Sequence, residues 1–177
     1  MTKCIFVTLP VLKKAELDSS LPANYRPISN LSTVSKALEK LVLARLLPHL
    51  HGSANFSQYQ SAYRKGHSTE TALLEVLGGV FTAEDKKQVT VLIALDLSEA
   101  FDTVDHRLLL DRLRLEFGVT ATVLDWLQSY LEGRSQFVKI GQHQSSTIEV
   151  NVGVPQGSVL GPLLFAVYCS PVADVIV

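Results

Sequence analysis

Three aspartates surround one aromatic in the stretch LDLSEAFDTVDH, residues 95–106: Asp96, Asp102 and Asp105, with Phe101 among them. Asp96 comes directly after an oily run made of Val89, Val91, Leu92, Ile93, Ala94 and Leu95. A carboxylate at the end of a buried strand presents a hard oxygen ligand at a sheet rim, where Mg²⁺ keeps waters and substrate phosphates in its shell. The same residue serves equally well as a helix cap, and residue chemistry alone leaves Asp96 open between the two roles. Asp102 and Asp105 read more simply as caps for a helix that starts near His106. His106, four residues from Asp102, reads as a surface histidine, since one such spacing is too little to define a metal site.

A second group is basic. Lys13, Lys14, Arg26, Arg64, Lys65 and His67 all fall in turns or extended loops. That placement suits phosphates, which take charge together with reachable backbone N–H groups. Ordinary solvated loop charge is the competing reading. A third group lies in GVPQGSVLGP, residues 153–162, where Gly153, Gly157 and Gly161 let the backbone pass close to a ligand and Gln156 offers both a donor and an acceptor. This stretch matches neither a dinucleotide fingerprint nor a P-loop.

These residues need elements to position them. Residues 5–14, IFVTLPVLKK, suggest a strand running into a basic turn, and NYRPISNLS is extended because Pro27 pushes Arg26 out of the helical region. Ser32 or Thr33 caps a helix ending near Pro48, with Lys36, Glu39 and Lys40 on its polar side and Val34, Ala37, Leu38 and Leu41 on its packed side. Ser68 caps a second helix whose Leu73, Val76, Leu77, Val80 and Phe81 form an apolar stripe, and residues 83–88 make a polar turn. Residues 89–97 read as a central strand buried on both faces. HRLLLDRLRLEF predicts a helix stopped by Gly118, and TATVLDWLQSYLEG another that ends at Gly133 and packs Val123, Trp126, Leu127, Tyr130 and Leu131. SQFVKIG and STIEVNVG flank QHQS as a hairpin, and a last helix begins near Ser158 with Pro162 in its first turn.

Composition bounds the reading. The 177 residues, 47% of them hydrophobic, suffice for one domain with a sizeable core, and 16 basic against 17 acidic residues show no overall basic excess. Cys4 and Cys169 form neither a zinc pattern nor a disulfide framework, which makes a reducing, intracellular compartment the default. No membrane span or secretory signal is expected, and a soluble protein follows. The closing LLFAVYCSPVADVIV stays apolar to the last residue, as expected of a fragment cut through a fold.

In this order the segments resemble the reverse transcriptase domain of non-LTR (LINE-type) retrotransposons. LKKAELDSSLPANYRPISNLSTVSKALEK is similar to the family's fingers segment, and QSAYRKGHSTETALL to its Q-S-x-[FY]-R-x-G-x-S-T motif. LDLSEAFDTVDH resembles polymerase motif A and GVPQGSVLGPLLF motif B. The resemblance implies an α+β, right-hand polymerase fold, with a fingers-like region at 1–88 and a partial palm at 89–177, an antiparallel sheet with packed helices and no thumb. It implies RNA-directed DNA synthesis on an RNA template from a DNA primer, with deoxynucleoside triphosphates as substrates and two Mg²⁺ ions as cofactors.

By the same resemblance Asp96 is the motif A catalytic and metal-binding aspartate, with the main-chain carbonyl of Leu97 as a further ligand. Phe101 falls at the sugar gate, Gln156 and Gly157 line the nucleotide pocket, and Arg26 with Lys14 (or Lys13) grips the triphosphate. Arg64 and Lys65 contact template or nucleotide. The sequence departs from the family in containing no Asp-Asp pair, the [FY]-x-D-D that follows motif B. The chain alone is therefore expected not to polymerise. Two other readings stand beside this one: a domesticated or decayed remnant with weak RNA or nucleotide binding, and an unrelated Mg²⁺-dependent phosphotransferase.

Overall fold

The structure is a computed structural model, and it describes residues 4–97 and 99–172. The end of the apolar closing stretch, residues 173–177, lies outside the described residues. The chain begins with strand β1 (Cys4–Leu12), then a 3-10 turn (Pro22–Asn24) and strand β2 (Tyr25–Asn30). The Lys13 ammonium donates to the Ala23 carbonyl at 2.8 Å and the Lys13 amide to Asn24 O at 2.8 Å, so the basic turn clamps the ends of the β1–β2 hairpin. Ser32 caps helix α1 (Thr33–His51) by accepting the Ser35 amide. Pro48 sits in its last turn without ending it, three residues before the helix end.

Helix α2 (Thr69–Asp85) opens on a reciprocal capping box between Ser68 and Thr71. Helix α3 (His106–Leu115) is capped by Asp105, whose Oδ1 accepts the Leu108 amide at 2.8 Å. Gly118, at φ +65°, turns the chain toward helix α4 (Ala121–Leu131). Strands β3 (Arg134–Ile140), β4 (His143–Gln144) and β5 (Ile148–Val150) follow, and helix α5 (Gly161–Tyr168) closes the described part, starting three residues after Ser158 with Pro162 in its first turn.

The sheet order is β2-β1-β3-β4, with β5 also on β3. β1 pairs antiparallel with β2 and parallel with β3, Cys4 against Arg134 through Thr8 against Val138. The expected hairpin is present, since β3 takes both β4 and β5 antiparallel. The sheet as a whole is mixed, which corrects the expectation of an antiparallel one.

The core is helical. Leu46 and Leu50 of α1, Leu109 and Leu113 of α3, Leu127 and Leu131 of α4, and Leu160, Leu163, Leu164 and Val167 at α5 form one buried cluster with Val104, Phe56 and Phe117. Residues 89–97 contradict the expected central strand: they carry no regular structure, and Val89 and Leu95 are 92% and 80% exposed. An apolar run becomes a strand only where neighbours satisfy its backbone and cover both faces, and the described strands pair with one another instead. The α2 stripe is likewise uncovered, with no residue of that helix buried.

Candidate functional site

Three stretches far apart in sequence meet beside this core. In the turn before α3, Phe101 is half-buried with its ring 5.1 Å from that of Phe165, and Asp102 follows it. The glycine-rich loop 153–160 lies directly against this turn, the Val154 amide donating to Phe101 O at 2.8 Å and the Gly153 amide to Val104 O at 2.7 Å. From the other side β2 meets the loop, its Ser29 amide donating to Gln156 O at 2.8 Å. The Gln156 side-chain amide then donates to Asp102 Oδ2 at 3.3 Å, so one residue ties the loop, β2 and the acidic turn together.

The glycines explain how the backbones come so close. At Gly153, with φ +86°, an added Cβ would lie 2.9 Å from Asp102 O and 3.0 Å from Phe101 O. At Gly157, with φ +93°, it would lie 3.4 Å from Ser29 O. The close approach at these two glycines is to the chain's own backbone. Behind them His106 Nε2 lies 2.7 Å from Gly153 O, which fixes that nitrogen as the donor. His106 is buried, which corrects its reading as a surface histidine: the loop roofs it and its Nε2–H donates to Gly153 O.

Burial pushes the Asp102 carboxyl above the ordinary carboxylate range, Glu99 adds to the push, and the Gln156 hydrogen bond opposes both. Asp105 acts as the helix cap, as its spacing predicted. Asp96 lies in the exposed, irregular segment beside Leu97, apart from any group of three or more His, Cys, Asp or Glu side chains that could hold a metal among the described residues. A Mg²⁺ pair therefore does not fit the residues as placed, since such an ion is usually bound through one or two carboxylates plus substrate phosphates, and a pair needs more.

The basic residues divide. Arg26 projects from β2, the strand that carries Ser29, and is exposed; Lys14 is exposed in the turn after β1. Arg64 donates to Gln58 O at 3.0 Å and thereby folds the loop before α2, with Lys65 exposed beside it. The structure thus brings together Gln156, Gly157, Phe101 and the strand of Arg26, and leaves Arg64 and Lys65 in the loop that leads to α2.

One buried residue had been assigned to the wrong side. Glu39 was expected on the solvent face of α1 and is 1% exposed, while Val34 and Leu41 of the expected packed face are 80% and 67% exposed. Its Oε2 accepts the Val159 amide at 2.7 Å, the Leu160 amide at 3.1 Å and the Tyr130 hydroxyl at 3.3 Å. The Arg134 guanidinium carbon stands 4.2 Å from the Tyr130 ring centroid, a cation–π contact that accompanies its buried Nε and Nη1, which have no hydrogen-bond partner among the described residues. A signal for Glu39 was present: it precedes the packed Val42, Leu43, Leu46 and Leu50 at i+3, i+4, i+7 and i+11, one helical stripe.

Residues 11–176 match the family described as reverse transcriptase (RNA-dependent DNA polymerase), and the chain belongs to that family. It is 40% identical over 147 residues to a probable RNA-directed DNA polymerase from transposon X-element of Drosophila melanogaster, which covers 83% of this chain and 16% of that protein. It is 35% identical over 147 residues to the RNA-directed DNA polymerase from mobile element jockey of the same organism, again 83% of the chain and 16% of the relative. A Pol polyprotein from type-1 retrotransposable element R2 of Popillia japonica is 25% identical over 159 residues, 89% of the chain and 21% of that protein. The chain thus spans about a sixth of the length of the first two of these relatives. No described helix is long and apolar enough to cross a membrane.

Proposed function

We propose that this chain is a portion of the RNA-directed DNA polymerase of a non-LTR retrotransposon, with fingers-like residues 1–88 and partial palm residues 89–177. Within the complete enzyme it binds an incoming deoxynucleoside triphosphate opposite an RNA template, against a DNA primer. The observation that carries this reading is the junction at Gln156, which joins the loop, the Phe101–Asp102 turn and the strand bearing Arg26. In the complete enzyme these residues would supply an amide for a base or sugar, an aromatic for the ribose and a cation for phosphate.

Asp96 and the Leu97 carbonyl are this segment's share of a Mg²⁺ site, Arg26 and Lys14 its share of the triphosphate grip, and Arg64 and Lys65 its template contacts. Because no group of three or more His, Cys, Asp or Glu side chains that could hold a metal forms among the described residues, the chain by itself does not polymerise. The same incomplete ligand set favours the second reading, a remnant limited to weak RNA or nucleotide binding.

Primer extension on an RNA template tests the first reading, in a polymerase of the relatives' length carrying this segment. Asp96→Ala is expected to lower synthesis by at least about a hundredfold, the scale of a lost catalytic charge. Undiminished synthesis overturns the assignment. Phe101→Ala is expected to raise ribonucleotide over deoxyribonucleotide incorporation by removing bulk from the sugar position. An unchanged ratio removes Phe101 from that role.

A further inference from the structure

Loop 153–160 must hold Gln156 and Gly157 in place, yet its chain neighbours cannot do so alone. Gly153 and Gly157 both have positive φ, and α5, which follows the loop, has Leu160 at its N-cap with no side-chain cap bond. Such a turn needs an external acceptor for the amides that lead into the helix.

That acceptor comes from a helix more than a hundred residues away. We propose that Glu39 is the positioning residue of this loop, its buried carboxylate fixing the Val159 and Leu160 amides so that Gln156 and Gly157 face the candidate nucleotide pocket. The distances are 2.7 and 3.1 Å, the shorter in the range of charge-assisted hydrogen bonds, and both amides converge on one oxygen, Oε2. Ser158 completes the turn, its hydroxyl accepting the Gly161 amide at 2.9 Å. The carboxylate is itself held from both ends: the Tyr130 hydroxyl reaches the same oxygen, and the Ser35 hydroxyl reaches Oε1 at 3.4 Å.

The arrangement makes α1 and the loop one mechanical unit. Ser29 of β2 holds Gln156 O from one side, and Glu39, nine residues after the end of β2, holds the far end of the same loop. A shift of α1 along its axis therefore moves the Glu39 anchor relative to the Ser29 anchor, and with it the end of the loop that follows Gln156. The link to nucleotide rests on the function proposed above; the hold on the loop does not.

The experiment uses this chain, with amide hydrogen exchange for the hold and titration with Mg²⁺–dTTP for its consequence. Glu39→Ala and Glu39→Asp, the latter too short to reach, are expected to speed exchange at Val159 and Leu160 by at least about tenfold, a loss of about 1.4 kcal/mol of local protection. Amides of Leu109, Leu113 and Leu127 in the core should change little. Glu39→Gln keeps an acceptor oxygen and is expected to restore protection to within a few-fold of wild type, a rescue that general loosening of the core would not give.

Burial chiefly, with the Glu39 charge adding to it, raises the Tyr130 hydroxyl to about 12, against the lowering influence of Ser158 and Arg134. Ultraviolet titration of Tyr130 is expected to move downward in Glu39→Gln, which marks the carboxylate as charged and adjacent. Unchanged exchange at Val159 and Leu160 in Glu39→Ala overturns the proposal, as does uniform acceleration of loop and core together. Local acceleration with unaltered dTTP affinity overturns the link to the pocket. A wild-type chain that binds no dTTP counts against nucleotide binding by this segment and overturns the link to the pocket, and the exchange pattern alone then decides the role of Glu39.

Discussion

At the scale of single residues, the acids of 95–106 separate by what surrounds them. Asp105 finds the first-turn amides of α3 and caps it, Asp102 finds Gln156, and Asp96 remains in an exposed segment. Asp102 carries a pH signature. Its folded-state pKa lies above the ordinary value of 3.8, so the fold prefers its protonated form; that stabilisation is complete below 3.8 and is lost as pH rises through the raised value. Asp102→Asn keeps an oxygen for the Gln156 amide and cannot ionise. Its urea midpoint is therefore expected to gain on wild type between about pH 3 and pH 6. A gap that stays constant over that range would show that Asp102 is not perturbed. Spacing located Asp105 correctly, but it could not reveal the Asp102–Gln156 contact or the burial of His106. Both depend on a loop some fifty residues later folding back over the turn.

At the scale of elements, helices were legible where local chemistry is self-contained. Ser32, Ser68, Gly118 and Gly133 mark ends that caps and positive φ determine within a few residues. Faces were less legible. The α1 sequence carries apolar residues nearly all round, so its orientation is set by what packs on it, and the buried stripe is the one that holds Glu39, Leu46 and Leu50. Residues 89–97 show the same dependence more strongly, since a β-favouring run has no stable form without a paired neighbour. Glycines at two positions give opposite expectations. Gly153→Ala would force a Cβ to within 2.9 Å of Asp102 O at φ +86°, and is expected to cost at least about 2 kcal/mol in chemical denaturation. Gly79→Ala, inside α2 with nothing within 4 Å, is expected to stabilise the helix by about 0.5–1 kcal/mol. Circular dichroism melts of the two variants should move in opposite directions.

At the scale of the whole molecule, apolar surface is distributed unevenly. The helical core is closed, whereas Leu73, Leu74 and Phe81 of α2 and Val91, Leu92 and Ile93 of the following segment are each more than half exposed. Native protein with that much oily surface is expected to bind the dye ANS at neutral pH, and Leu77→Lys with Phe81→Lys should weaken the signal without lowering the unfolding midpoint. A native chain silent to the dye would mean that these side chains cover one another in solution. The resemblance of ordered motifs identified the family, as the match over residues 11–176 bears out. It gave no warning of the mixed sheet, because strand direction there follows from which distant segments meet rather than from any motif.

That parallel pairing also governs the order of assembly. β1 cannot find its β3 partner until a further hundred-odd residues have been synthesised, a wait on the order of ten seconds at ordinary ribosomal speed. Through that interval β1 has only β2 beside it, one hairpin edge bare, while every helix of the core except α5 is already complete. The sheet is thus a late closure of the chain, and slowed translation between α4 and β3 would lengthen the period in which chaperones or misplaced strands compete for that edge.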